Sequence, residues 1–165
     1  MSENKNYKQI LDNFYDYLFG VIKLHREMIP KLKDELMLIQ SGSLDELNIN
    51  LNHQQLFIYQ TKNFTVDVAG YMNELNLTGK NLSEVIKQLP RDEQLRFDEL
   101  LSQFEKTSRE IQFYKEKCQT LLEMKLHQVK KNIAQSKLKS DKTTYQEDGT
   151  EVGSINFPRT FEKSI

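Results

Sequence analysis

The chain has 165 residues, of which 38% are hydrophobic and 28% charged, and its formal net charge is −1 at pH 7. This balance argues against a nucleic-acid-binding protein, because recognition of phosphates needs a basic surface. The single cysteine, Cys118, excludes an internal disulfide. No stretch approaches the roughly 20 apolar residues of a membrane-spanning helix, and the first residues do not resemble a signal peptide. We therefore expect a cytoplasmic protein without membrane insertion.

The first predicted element is a long helix. Its inward row of positions recurs at alternating steps of three and four residues, as in helices that pack in bundles. The row consists of Leu11, Phe14, Leu18, Val21, His25, Met28, Leu32, Leu36 and Ile39. Ser41 and Gly42 supply a C-terminal stop. Proline removes a backbone donor and clashes with the preceding turn, so Pro30 predicts a kink or a break near Ile29.

The second predicted helix begins at Ser43, which has Glu46 three residues on, the spacing of a capping box. One unbroken row then follows, in which three of the ten positions are polar: Leu44, Leu47, Leu51, Gln54, Ile58, Thr61, Thr65, Val68, Met72 and Leu75. The pattern predicts a single helix that packs less tightly than a leucine-rich one. Polar positions in such a row more often set the pairing register than bind a ligand.

Two further helices are predicted. Gly79 and Pro90 bracket a short one, capped by Asn81 with Glu84 three residues on. A third long helix runs from about residue 91 to residue 137. Its row changes register by one residue after Leu122, which locally alters a supercoil. The row consists of Phe97, Leu101, Phe104, Ser108, Ile111, Lys115, Cys118 and Leu122, and then of Leu126, Val129 and Ile133.

The apolar spacing ends after Lys139, where Ser, Asp, Thr and Gly take over. Residues 140–165 are therefore predicted to be disordered in isolation. The elements together predict an all-α fold, an elongated antiparallel three-helix bundle or coiled-coil hairpin with a short connecting helix. Residues 1–139 form the predicted bundle and residues 140–165 a flexible docking tail. That tail carries aromatic residues, which a segment made only for solubility does not need.

Basic residues concentrate near the end of the third helix. Residues 111–140 contain seven lysines and two glutamates, a net charge of +5. Cations complement the negative end of a helix dipole, so one interpretation is a solvated helix end. The other is a surface for an acidic partner.

No set of residues has the composition of a catalytic or metal centre. None of the histidines (His25, His53 and His127) follows a glutamate at the three-residue spacing of a di-metal bundle, and the glycines form no phosphate-binding loop. His25 and Cys118 lie on predicted packing rows, which favours a core histidine over a phosphotransfer histidine, and a buried thiol over a nucleophile. We predict neither an enzyme nor a cofactor or metal site. A structural coiled coil, an adaptor and a chaperone remain.

A family resemblance rests on two parts of the sequence. The stretch ELMLIQSGSLDELNINLNHQQ, from Glu35, contains a helix end, a small-residue break and a new helix with an L-x-x-L start and a face rich in Asn and Gln. The tail contains TTYQEDG, with Tyr145 followed by Gly149, and ends in FEKSI. With the long last helix, these features resemble the FlgN family of bacterial flagellar export chaperones over nearly the whole chain. Paired asparagines in the third helix and an arginine before the middle break, frequent in the family, are replaced by FYKEKCQTLL and GYMNELN.

The resemblance implies a cytoplasmic type III export chaperone. Such a protein binds hook–filament junction proteins, keeps their terminal helices soluble and delivers them to the cytoplasmic domain of the export gate. In the family the tail tyrosine is associated with gate docking, which assigns that role to Tyr145. The alternative is a structural or adaptor coiled coil outside the flagellum, which would self-associate without affinity for a junction protein.

An apolar surface with a lysine-rich flank is the predicted site for the exported substrate, because it can hold an amphipathic helix and attract acidic residues beside it. It combines the second half of the third helix with two tail residues. Its members are Leu121, Leu122, Leu126, Val129, Ile133, Phe157 and Phe161.

Overall fold

The computed structural model describes residues 2–143, with the side chains of residues 5–140. Throughout this part of the chain the regular elements are α-helices and no strand occurs. They are α1 (Ser2–Ser41), α2 (Leu44–Thr61), α3 (Phe64–Glu74), α4 (Leu82–Ile86) and α5 (Arg91–Thr143). The predicted all-α class is confirmed. α5 continues past residue 139, the predicted end of the bundle, and the tail residues Tyr145, Phe157 and Phe161 lie outside the described part.

The chain divides into two units, Met1–Leu122 and Glu123–Ile165. In the first unit, α3 runs antiparallel to α1, since Phe14 stacks on Tyr71 while the Tyr17 hydroxyl donates to Asp67. α5 runs in the same direction as α1, since Arg96 pairs with Asp12 near their beginnings and Cys118 lies against Leu32 further along. The unit is therefore an antiparallel bundle of three helical segments, as predicted. The short α4 lies in the connection between the second and the third.

The apolar core of this unit lies where α1, α3, α4 and the beginning of α5 meet. Phe14 and Phe97 are almost completely buried, and their ring centroids lie 5.7 Å apart. Full burial of each such side chain stabilises the fold by roughly 1.5–3 kcal/mol, so this cluster anchors the bundle. The cluster consists of Leu11, Phe14, Leu18, Ile22, Leu75, Leu77, Val85, Ile86, Leu89, Phe97 and Leu100.

Pro30 does not break the first helix. α1 is one helix from Ser2 to Ser41 with Pro30 inside it, so of the predicted kink or break near Ile29 the break does not occur, and the kink stays a prediction. Met28 and Leu32, on either side of the proline, are 4% and 1% exposed. Burial on both sides of the missing backbone donor holds the helix together.

Two of the predicted helix ends are confirmed. Gly42, after the last residue of α1, has φ +74°, and its N–H donates to the carbonyl of Leu38. Glycine reaches this left-handed conformation without strain, which explains the stop at this position. Asn81 caps α4, because its side chain accepts a hydrogen bond of 3.0 Å from the N–H of Glu84.

The predicted single helix from Leu44 to Leu75 is wrong, since α2 ends at Thr61 and α3 begins at Phe64. The Thr61 hydroxyl donates to the carbonyl oxygens of Phe57 at 3.0 Å and of Ile58 at 3.4 Å, which are the acceptors that the N–H groups of Thr61 and Lys62 use in a continuing helix. The predicted capping box is also wrong. Ser43 precedes α2, but its side chain makes no capping hydrogen bond.

Candidate protein-binding interface

The predicted substrate residues of α5 are largely exposed. Leu126, Val129 and Ile133, in the second unit, are 55%, 52% and 52% exposed. Leu122, the last residue of the first unit, is 44% exposed, and the adjacent Leu121 is partly buried. The four exposed residues follow one another along α5 at steps of four, three and four, which places them on one face of that helix. We call this row (Leu122, Leu126, Val129 and Ile133) the α5 ridge.

Lysines flank the α5 ridge. Lys130 and Lys137 each follow a ridge residue by four positions, so they lie beside the row, and both are exposed. Lys117, further towards the beginning of α5, contacts an aromatic ring instead, since its ammonium group lies 4.7 Å from the centre of the Phe113 ring. An apolar row beside exposed ammonium groups suits an amphipathic helix that carries acidic side chains.

His25 is a satisfied histidine of the packed bundle, as predicted. Its Nδ1 lies 2.8 Å from the carbonyl oxygen of Val21, which can only accept, so Nδ1 carries the proton. The imidazole lies edge-on to the rings of Phe57 and Phe104, with centroids 5.1 and 5.4 Å away. A phosphotransfer histidine needs an accessible nitrogen, and this packing between aromatic rings disfavours that role.

Cys118 is a buried, protonated thiol, also as predicted. It is 3% exposed, and its Sγ lies 3.6 Å from the carbonyl oxygen of Leu32. Burial raises the pKa of the thiol to about 11, with a further contribution from the charge of Glu35. Within the described residues, no three His, Cys, Asp or Glu side chains are grouped so that they could hold a metal ion.

The sequence did not indicate that α1 and α2 meet through a buried polar network. The Gln54 amide donates to a carboxylate oxygen of Glu35 at 2.5 Å and to Asn50 Oδ1 at 2.8 Å. Asn50 in turn donates to the carbonyl oxygen of Lys31 at 3.0 Å. Glu35, Asn50 and Gln54 are 7%, 6% and 8% exposed. Gln54 was expected on the inward row, whereas no pattern in the sequence singled out Asn50 or the burial of Glu35.

The face of α2 that packs against α1 is polar at its centre. Large apolar side chains of α2 are therefore exposed on both sides of that face. They are Leu44, Ile49, Leu51, Leu56, Ile58 and Tyr59. On one flank, two cavities of about 350 and 250 Å³ lie between α1 and α2 and share Lys31 and His53 in their linings. We call this pair of cavities the α1–α2 groove. Its apolar lining is Leu24, Met28, Met37, Leu38, Ile49, Leu56 and Phe57.

A larger cavity, of about 710 Å³, opens between α3, the segment that contains α4, and α5. Phe64, Val68 and Met72 line it from α3, while Leu101 and Phe104 line it from α5. Sequence reasoning assigned these side chains to packing rows and did not anticipate the space between them. The break between α2 and α3, which the sequence pattern did not reveal, sets where α3 begins and therefore helps to shape this cavity.

Comparison with known proteins gives one match. The family model described as FlgN protein matches residues 10–153. No curated protein and no solved structure matches the chain. In the part of the chain that the structure describes, no helix is both long and apolar enough to cross a lipid bilayer.

Proposed function

Because the chain belongs to the FlgN family of flagellar export chaperones, we propose that it binds hook–filament junction proteins in the cytoplasm and delivers them to the type III export gate. The observation that carries this proposal is the exposed α5 ridge with its lysines. A junction protein that assembles through amphipathic terminal helices needs an apolar partner for those helices before export. The ridge offers such a surface.

The ridge by itself supplies a weak contact. Its side chains are about half exposed, and since full burial of a large aliphatic side chain is worth roughly 1.5–3 kcal/mol, each contributes about 1 kcal/mol on binding. Four such contributions give about 4 kcal/mol, which only matches the lowest estimates, also about 4 kcal/mol, of the free energy lost when two molecules associate. Holding a client needs more contact than this, so we assign Leu121 and the tail residues Phe157 and Phe161 to the same surface.

The test is a substitution in the middle of the α5 ridge. Leu126→Asp places a carboxylate in the apolar contact, and we expect it to weaken binding of a junction-protein terminal-helix peptide at least tenfold by calorimetry. Met124→Asp is the matched control, because Met124 is 64% exposed and lies on the opposite side of the same helix. If both variants lose the same affinity for the peptide, or if neither loses any, the ridge is not the client surface. Binding of the wild-type chain should also weaken with added salt if the lysines contribute.

The alternative, an adaptor coiled coil outside the flagellum, is favoured by a different observation. Leu44, Leu51 and Ile58 recur every seven residues along α2 and are 72%, 37% and 55% exposed. Such a row is typical of a coiled-coil contact. A chain of this second kind binds no junction-protein helix with any of the variants above, so the same calorimetric series separates the two functions.

A further inference from the structure

The α1–α2 groove has the size of a short helix. Its lining on α1 extends from Leu24 to Leu38, which at 1.5 Å per residue is about 21 Å. Met37, Ile49 and Leu56 line it and are 59%, 58% and 56% exposed. Two packed helices that present apolar side chains along a common groove are suited to bind a third, amphipathic helix.

The charges around the groove favour a basic occupant. Glu27, Asp34 and Glu46 line it with one lysine, Lys31, so the carboxylates and the ammonium group together carry a formal charge of −2. α2 adds no lysine or arginine anywhere between Leu44 and Thr61. A helix with lysines beside its apolar row therefore complements this groove, whereas an acidic helix is repelled.

The α5 ridge has the properties that the groove requires. From Leu122 to Ile133 it is about 17 Å long, which fits within the groove. Residues 122–137 contain four lysines and one glutamate, and Lys130 and Lys137 lie beside the row. The four residues of the ridge, and Met37, Ile49 and Leu56 of the groove, are all about half exposed.

We propose that the α1–α2 groove of one molecule binds the α5 ridge of a second copy of this chain. A two-fold symmetric dimer contains two such contacts, because each molecule contributes one groove and one ridge. The doubling matters, since a single short helix buries less than the roughly 1,600 Å² of a standard interface. The dimer covers apolar surface that otherwise faces water in the unoccupied protein.

A consequence for client binding rests on the proposed function. If the α5 ridge also holds the client, a client helix competes with the second copy for the same residues. The dimer is then the resting form of the chaperone, and client binding releases monomers. Self-association itself needs no client and is tested without one.

The experiment is sedimentation velocity of the full-length chain over a range of concentrations, with two variants of α2. Leu56→Lys introduces a like charge opposite the ridge lysines and is expected to weaken dimerisation at least tenfold. Ile58→Lys is the control, because Ile58 has nearly the same exposure, 55% against 56%, and does not line the groove. A wild-type chain that stays monomeric throughout, or a dimer that both substitutions weaken equally, would overturn the inference.

Mixing tests whether groove and ridge meet in trans. Leu56→Lys has an impaired groove and an intact ridge, and Leu126→Asp has the reverse, so we expect each alone to dimerise at least tenfold more weakly than the wild type. Mixed together, they retain one intact contact and should form a heterodimer weaker than the wild-type dimer. A mixture that contains only monomers contradicts the proposed pairing. Circular dichroism of each variant establishes that the helices are intact.

The proposed function is judged separately, by calorimetry of a junction-protein helix with Leu56→Lys. Since the α5 ridge is unchanged in this variant, the helix should bind at least as tightly as to wild type. A client that binds a chain which never dimerises leaves the function standing and refutes the inference. A chain that dimerises but whose ridge binds no client would refute the proposed function and leave the inference standing.

Discussion

Cys118 shows how one side chain reports on the packing around it. Burial against Leu32 raises the pKa of its thiol to about 11, so at neutral pH almost none is present as the reactive thiolate. The pKa in the folded chain lies above the ordinary value of 9.0 for an accessible thiol. The stabilisation that this group contributes is therefore complete below pH 9 and is lost as the pH rises towards 11.

We expect Cys118 to resist alkylation in the folded protein. Iodoacetamide at pH 8, followed by mass spectrometry, should modify the native chain much more slowly than the same chain in denaturant. The denatured sample is the control for reagent activity. Native labelling at the denatured rate would show that the thiol is accessible, contrary to its 3% exposure.

At the scale of the elements, the contact between α1 and α2 is held by a buried polar network. A hydrogen bond contributes only about 0.5–1.5 kcal/mol between neutral groups, and about 1.5–3 kcal/mol when one partner is charged, because water competes for the same groups in the unfolded chain. Removing the donor lowers the free energy of unfolding by more than the hydrogen bond contributes, since the acceptor is left buried without a partner. The network therefore fixes how α2 pairs with α1 more than it stabilises the bundle.

Gln54→Ala is predicted to destabilise the protein by about 1–3 kcal/mol, because Glu35 loses the Gln54 amide in a buried site. Urea unfolding measures this change. Gln55→Ala is the control, since Gln55 is an exposed neighbour on the same helix, and such substitutions usually change stability by less than about 0.5 kcal/mol. A double variant, Glu35→Leu with Gln54→Leu, should recover most of the loss. Equal stability of the two alanine variants would mean that the network contributes nothing.

At the scale of the whole molecule, holding and delivery are assigned to different parts of the chain. The α5 ridge is proposed to hold the client, while Tyr145, outside the described residues, is proposed to contact the export gate. Tyrosine is a favoured anchor in interfaces because its ring is large and rigid and its hydroxyl forms hydrogen bonds. On this proposal, an anchor in the tail serves the gate while the helices hold the client.

Tyr145→Ala should weaken binding to the cytoplasmic domain of the export gate by at least about 2 kcal/mol, or roughly thirtyfold. Helical content and client affinity should stay close to those of the wild type. Calorimetry with each partner measures both affinities, and Tyr145→Phe tests how much the hydroxyl contributes. Unchanged gate binding would move the anchor to Phe157 or Phe161. Loss of the client with gate binding retained would assign the tail to holding.

Much of the candidate site could be read from the sequence. The sequence pattern named five residues of α5, of which the structure places Leu122, Leu126, Val129 and Ile133 at the surface, while Leu121 is partly buried. Their role in binding stays a prediction. The α1–α2 groove could not be read in this way, because its lining comes from two helices whose relative rotation depends on which face of α2 packs inward.

The sequence by itself determined the helical class, the stop at Gly42, the cap at Asn81 and the family, since each depends on local spacing or on a motif within a few residues. Only the tertiary structure decided that α1 continues through Pro30, that α2 ends at Thr61, and that α2 packs through Asn50 and Gln54. The physical reason is that these outcomes depend on distant partners. Packing on both sides of Pro30 outweighs its missing donor. The carboxylate of Glu35, nineteen residues before Gln54, accepts a hydrogen bond from Gln54, so a polar face of α2 packs inward while leucines and isoleucines of α2 remain exposed to water.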